Sequence, residues 1–545
     1  MSNAIPEVPA PQNEPTLSYA PGSPEREMVA QALAGLAGRR QEIPLVIGGE
    51  RVFTGRTAEC LIPHDHRRAL GIYHKAGSDE TQRAIAAARR VWPDWSRMPW
   101  EARAAVFLKA ADILTCRRRA EINAVAMLDL SKTVHQAEID AVDELADYWR
   151  FDPYFMMQIM RPQPLSVPSV WNMVEQRPLE GFVFAATPFN FAGIAGHLPS
   201  APAMMGNTVI WKPASVAVAT AYAIFQVLEE AGLPPGVINF VPGDGPDVGG
   251  PALAHPDLGG VNFTGSTAVF RDIWRTVAGH LDGYRNFPRL VGETGGKNFV
   301  LAHASAEVRG LVAGLIRGAF EYQGQKCSAA SRAYIPASLW PEVRDRLLSE
   351  IATIKVGDVA DFSNFMGAVI DAAAVRKIFG YLELARSSPE TTILAGGSVD
   401  DRIGHFVQPT VVLTQNPRHR LMEEEIFGPV LTIFVYADAT YEETLRLCDA
   451  TSPYGLTGSI FARDRRAIDA AVRALRHAAG NFYINDKPTG AVVGMQPFGG
   501  GRASGTNDKA GSQLHLQRWV TPRLIKENFC PPEDYRYPFL GGKGD

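Results

Sequence analysis

Cysteine is scarce in this chain: five among 545 residues, at positions 60, 116, 327, 448 and 530. An odd count at wide and irregular spacing excludes a disulfide framework and a closed zinc cluster. His64 and His66 in PHDHRR stand together without further clustered ligands, so no metal is expected. Excess charge of either sign is also lacking, with 54 basic against 58 acidic residues. That removes the electrostatic footprint of a nucleic-acid or membrane-surface binder. Uninterrupted apolar runs are missing too. Gly181 to Trp211 holds no Asp, Glu, Lys or Arg, yet Pro188, Asn190, His197, Pro199, Pro202 and Asn207 break it up, and lipid would make those groups costly. The opening segment, Met1 to Glu25, is rich in proline and polar residues and has no apolar core. It reads as a flexible start, neither a signal nor a transit peptide. No internal repeat is found. No G-x-G-x-x-G stands where a strand enters a helix; GDGPDVGG (243–250) has other spacing and is expected to be a loop. A soluble cytoplasmic protein is the expectation.

What is present is enough apolar residue, 46%, for two or three cores in a chain of this length. Ser78 to Leu130 and Val134 to Phe155 repeat apolar residues every three to four positions and predict helices. The pattern then changes to short apolar runs, FVFAAT (182–187), TVIWKP (208–213), VINFVPG (237–243) and VNFTGS (261–266), spaced widely enough for helices between them. Continuous apolar strands alternating with helices predict a parallel sheet covered on both faces. A second series begins at about Phe299 with a helix to Phe320, then SRAYIP, a helix from Ser338, TVVL, PVLTIFVY and LTGSIFA, ending in NFYIN. The fold class is therefore α/β, with two doubly wound domains. Residues 162–179 and 518–528 read as strands detached from either sheet, free to pair with each other or with another subunit.

In an open α/β sheet, ligands bind beyond the carboxyl ends of the strands. Pro188-Phe189-Asn190-Phe191, Lys212-Pro213 and Gly265-Ser266 stand at such ends, and a helix opening at about Thr267 would aim unpaired amides at a phosphate. Taken singly, each feature has a plainer explanation. Gly265-Ser266 is an ordinary helix cap, Glu293 in LVGETGGKNF a solvated turn carboxylate, and Cys327 in EYQGQKCSAAS an inert buried thiol. Glu425 in EEEIFGPV and the glycines of PFGGGRASG are open to the same reading. Together, a thiol, a glutamate, a side-chain amide and a nucleotide cradle are what oxidation of an aldehyde through a thioester requires.

With those groups assembled, the chain resembles the aldehyde dehydrogenase superfamily, and within it the members that oxidise glutamate semialdehyde. The likeness runs from about Asn13 nearly to the C-terminus and is carried by TPFNFAGIAGHLPSAPAMMGNTVIWKPA, NFTGST, GETGGKNF, AFEYQGQKCSAASRAY, EEEIFGPV, AAGNFYINDK and QPFGGGRASGTND. It implies Cys327 as nucleophile, Glu293 as general base and Asn190 as oxyanion donor. It implies NAD as cofactor, held by Thr187, Pro188, Phe189, Lys212, Pro213, Ser215, Gly245, Gly265, Ser266, Thr294, Gly295, Glu425 and Phe427. Ser215 is not a carboxylate, so NADP stays admissible. The implied substrate contacts are Glu138, Phe191, Ser328, Phe498 and an anchor loop at Thr489, Gly490 and Ala491, where several relatives have serine in place of Ala491. The implied domains are an N-terminal extension (1–40), a NAD-binding domain (41–161 and 180–288), a small β oligomerisation element (162–179 and 513–545) and a catalytic domain (289–512). The implied reaction takes L-glutamate 5-semialdehyde to L-glutamate in a homo-oligomer, with a proline dehydrogenase admitted as partner. The alternatives are another semialdehyde as substrate, or a thiol hydrolase or binding scaffold on the same fold.

Overall fold

The apolar runs at 182–186, 208–212, 238–240 and 258–264 become neighbouring strands because each is buried on both faces and can only be satisfied inside a covered sheet. In the computed structural model, which describes residues 6–541, the first seven-stranded sheet runs Arg289–Glu293, Leu258–Thr264, Phe182–Ala186, Thr208–Lys212, Ile238–Phe240, Leu45–Ile47, Glu50–Val52. Neighbours from Arg289–Glu293 to Ile238–Phe240 are parallel; the two short strands at the far edge are antiparallel. Arg289–Glu293 pairs within this first sheet, so a boundary at 288 falls one strand too early.

The second sheet runs Thr391–Ala395, Thr410–Thr414, Val430–Tyr436, Ala330–Pro336, Asn298–Ala302, Thr457–Phe461, Asn481–Ile484, parallel except at its first pair. Asn298–Ala302 is a fully buried central strand where a helix was expected from about Phe299; the helix begins only at Val308. The two detached segments pair with each other, Val170–Pro178 against Val520–Asn528, in one unbroken antiparallel register.

Two other expectations are corrected. Gly245–Leu253 is a helix and not a loop. Asp244 sits at its N-cap in extended backbone and Pro246 lies in its first turn, both start signals that outweigh the glycines once Val248, Ala252 and Leu253 are buried. From residue 6 on, the N-terminal stretch is no loose tail either; the first five residues of that expectation lie outside the described ones. Pro24–Ala37 is helical, capped by Ser23, and Tyr19 is only 4% exposed. Among the described residues no helix is long and apolar enough to cross a membrane.

Candidate active site

The sequence EYQGQKCS has a conformational explanation. Tyr322, Gln323 and Gly324 all take left-handed backbone, at φ 49°, 55° and 67°, which is costly for the first two and persists only where the surroundings impose it. Those surroundings are specific. Gln323 donates to the carbonyls of Ser131 (3.1 Å) and Ala368 (2.7 Å) and accepts from Gly367 N, while Gln325 accepts from Ile370 N. A Cβ on Gly324 would stand 2.4 Å from the Gly428 carbonyl oxygen, so only glycine fits. Asn298 Nδ2 then holds the carbonyls of Cys327 (2.7 Å) and Ala329 (2.9 Å). The turn presents Cys327 half-buried where two cavities meet.

Asn190 follows the strand Phe182–Ala186 and donates one amide hydrogen to the Gln325 carbonyl at 3.0 Å. A carboxamide carries two such hydrogens, so one stays unused, and Asn190 and Cys327 line the same cavity. Glu293 ends the edge strand Arg289–Glu293, and its Oε2 is buried without a hydrogen-bond partner. Burial pushes its pKa well above the usual carboxylate range, against the pull of the Lys509 ammonium. Burial likewise raises the Cys327 thiol, helped by the carboxylates of Glu293, Glu425 and Glu144. Lys326 is not the activating cation its neighbouring position suggests: it is buried and paired with Glu321 at 3.1 Å. Cys327 and Glu293 share a third chamber of about 30 Å³, more than the ~10–15 Å³ that one water needs.

The larger cavity, about 900 Å³, lies between the helix Gly245–Leu253 and the helix Thr267–Gly279 and reaches Cys327. Ser266 caps the second helix, accepting from Val269 N at 3.3 Å. Thr187, Pro188, Phe189, Lys212, Ser215, Gly245, Gly265, Ser266, Thr294, Gly295, Glu425 and Phe427 all line it; Pro213 does not, and only its carbonyl takes part, accepting from Lys212 Nζ at 3.1 Å. The lining suits a dinucleotide. At Gly245 and Gly249 an added Cβ would meet nothing within 4 Å, so the glycines keep the groove open, and a helix N-terminus faces it. Glu425 accepts from Gly296 N at 2.8 Å and lies against Gly295, where a Cβ would stand 2.5 Å from its Oε1.

The smaller cavity, about 280 Å³, has Phe191, Ser328, Thr489, Gly490, Ala491 and Phe498 around Cys327. Ser328 Oγ donates to Thr489 Oγ1 at 2.8 Å, fixing the loop beside the sulfur. Glu138 does not belong here. It is fully buried elsewhere, accepting from Tyr19 OH and Asn123 Nδ2 at 2.7 Å each and paired with Arg119. The stretch Glu138–Glu144 is a π-helix, and it brings Glu144 to the cavity instead.

A model of the aldehyde dehydrogenase family matches residues 53–524. The chain belongs to that family. Among curated proteins it is 52% identical to the mitochondrial delta-1-pyrroline-5-carboxylate dehydrogenase of Bos taurus, over 97% of this chain and 94% of that one. Among solved structures it resembles the delta-pyrroline-5-carboxylate dehydrogenase of Mycobacterium tuberculosis bound with NAD, at 51% identity and TM-score 0.96, covering 99% of this chain and 100% of that one. It also resembles proline utilization A of Bdellovibrio bacteriovorus, at 31% identity and TM-score 0.91, over 96% of this chain and 54% of that longer one.

As an aldehyde dehydrogenase, the chain has site residues that motif reading passed over. Lys487 lines the smaller cavity, and its Nζ lies 3.3 Å from where a Cβ on Gly490 would stand. Asn13, Glu14 and Thr16 line the same cavity from the far end of the chain. Lys509 holds the loop next to Glu293 by donating to the carbonyls of Gly480 (2.8 Å) and Gly499 (2.9 Å). The signal for Lys487 was within reach, a lone cation two residues before the anchor loop.

Proposed function

We propose that this aldehyde dehydrogenase catalyses the NAD-dependent oxidation of L-glutamate 5-semialdehyde, the open form of 1-pyrroline-5-carboxylate, to L-glutamate. The observation that carries the reading is the placement of Cys327 between a dinucleotide-shaped groove and a small cavity ending in a cationic loop. The relatives' names and the NAD in the Mycobacterium tuberculosis structure support it.

What NAD supplies when bound is the acceptor for the aldehyde's hydride; Lys212, Glu425, Ser266 and the amides opening the helix at Thr267 would hold it. The chain's own groups do the rest. The Cys327 thiol gives up its proton to water as Sγ bonds to the carbonyl carbon, and the oxygen takes hydrogen bonds from Asn190 Nδ2 and the Cys327 N–H. Loss of hydride leaves a thioester on the sulfur. Glu293, facing the chamber it shares with Cys327, takes a proton from water as that water attacks the thioester; glutamate leaves and the thiol is restored. At the other end of the substrate, the N–H groups of Gly490 and Ala491 bond to nothing among the described residues. With Lys487 they receive the α-carboxylate, which offsets the missing hydroxyl at Ala491.

Two variants follow from this assignment. Asn190→Ala is expected to lower kcat by about 10²–10³, the usual cost of one oxyanion donor, with the melting temperature little changed; wild-type kcat would remove Asn190 from the chemistry. Lys487→Met is expected to raise KM for the semialdehyde by roughly tenfold or more, as a charge-assisted contact to the substrate is lost, and to leave KM for propanal unchanged. Equal effects on both aldehydes would place Lys487 outside substrate recognition.

The homo-oligomer remains part of the proposal. Trp171 and Leu524 on the detached strand pair are 54% and 74% exposed, apolar surface that a second copy would cover. A proline dehydrogenase is proposed as partner, since a chain such as proline utilization A holds this architecture within a longer protein. The cytoplasm is proposed as compartment, in keeping with five unbonded cysteines. The deciding experiment mixes purified protein with pyrroline carboxylate and NAD, then repeats it with NADP and simple aldehydes. Preference for the carboxylate-bearing substrate supports the reading, and indifference to it overturns the reading.

A further inference from the structure

We infer that the N-terminal arm, Asn13 to Ala20, is a specificity element that positions the anchor loop and walls the substrate cavity. The model of the family begins at residue 53, so the arm lies outside what that model describes, although the similar dehydrogenases cover 97–99% of this chain. Its attachment is built deliberately. Asn13 Nδ2 donates to the Val493 carbonyl at 2.8 Å, tying the arm to the loop that follows Ala491, and to Asp147 Oδ2 at 2.7 Å. Glu14 N donates to the other Asp147 oxygen at 2.7 Å, and the Glu14 carboxylate pairs with Arg119 (2.9 Å) and Arg150 (2.5 Å). Thr16 Oγ1 donates to Asp143 at 2.7 Å. Farther along, Tyr19 OH bonds to the buried Glu138, which Asn123 also holds. Here lies the use of the Glu138 carboxylate: it anchors the arm and does not touch substrate.

The geometry has a chemical consequence. Val493 is buried while Gly490 and Val492 are exposed; the anchor loop is fixed at one end by Thr489 on Ser328 and at the other by Val493 on Asn13 together with a turn in which Val492 bonds to Met495 and Gln496. A loop that binds a carboxylate through its own amides loses affinity when those amides wander, because ordering them is then a cost of binding. The sulfur, Asn190 and Glu293 sit on other elements and keep their geometry. The arm therefore acts on recognition of the carboxylate end and not on bond making.

This inference rests on the proposed substrate, and its test separates the two. Asn13→Ala is expected to raise KM for glutamate semialdehyde about tenfold, as expected for losing one or two hydrogen bonds to partly buried partners, with a much smaller loss of kcat/KM for propanal; Tyr19→Phe, outside the cavity, is expected to raise the same KM by less and to leave propanal oxidation unchanged. Asn13→Gln, which keeps the amide donors, is expected to recover part of the loss. Hydrogen exchange at the bonded amides of the loop, Val492, Met495 and Gln496, should quicken in Asn13→Ala, and in Tyr19→Phe, which loosens the arm away from the cavity. Unchanged exchange, or equal losses for both aldehydes, overturns the inference. Wild-type protein that ignores the semialdehyde would sink the functional reading, while the exchange measurement would still decide the arm's role.

Discussion

Cys327→Ala is expected to abolish NADH formation from glutamate semialdehyde, by roughly 10⁵-fold or more, since removing the nucleophile from an interdependent set costs about as much as removing the whole set. Nothing else in the site can substitute. Among the described residues the other four cysteines line neither large cavity, and a bound water without the sulfur would face an aldehyde with no acyl-carrying step. The variant should fold, because the turn is held by groups that the change leaves alone: Gln323 on Ser131 and Ala368, and Asn298 on the carbonyl of residue 327. Melting temperature and NAD affinity are the controls. Both near wild-type with activity lost assigns the chemistry to the sulfur; persistent activity in a folded variant assigns it elsewhere.

Glu293→Gln is expected to split the two halves of the reaction. Acylation needs the sulfur and its oxyanion donors, so one equivalent of NADH should still form rapidly. Steady turnover should then fall by about 10²–10⁴, the usual worth of a positioned general base. The pH behaviour has a definite sign. Burial raises the Glu293 pKa in the folded protein above its unfolded value. The stability tied to its proton is complete below the unfolded pKa and lost as pH rises through the folded one. Glutamine cannot ionise and escapes that loss, so Glu293→Gln should melt higher than wild type at alkaline pH and lose the advantage in acid. In wild type, deacylation should quicken as pH rises and the base becomes available. Loss of the initial burst would move Glu293 into the first half-reaction.

How far the sequence could be read depended on whether the signal was local. Phe182–Ala186 and Thr208–Lys212 were legible because a strand buried on both faces must be apolar throughout. Ser266 was legible because a helix cap is written in adjacent residues. Gly245–Leu253 reads as a loop because its glycines weaken the helical signal, while the contacts that rescue it come from the helix Ser78–Arg97, distant in sequence. Glu138 rested on the resemblance alone; the fold turns it to Tyr19, Asn123 and Arg119, and Glu144, six residues on, lines the cavity. The arm reads as loose because proline-rich polar sequence ordinarily cannot bury enough to order itself. Its order comes from ion pairs to Arg119 and Arg150, more than a hundred residues away, which no local pattern announces.

The central claim is a covalent bond between one sulfur and one carbonyl carbon. Glu293→Gln protein, mixed with glutamate semialdehyde and NAD and quenched during slow turnover, should carry a single glutamyl thioester, mapped by peptide mass spectrometry to Cys327 in an amount equal to the NADH burst. A burst without that adduct, or an adduct on any other residue, would contradict the account.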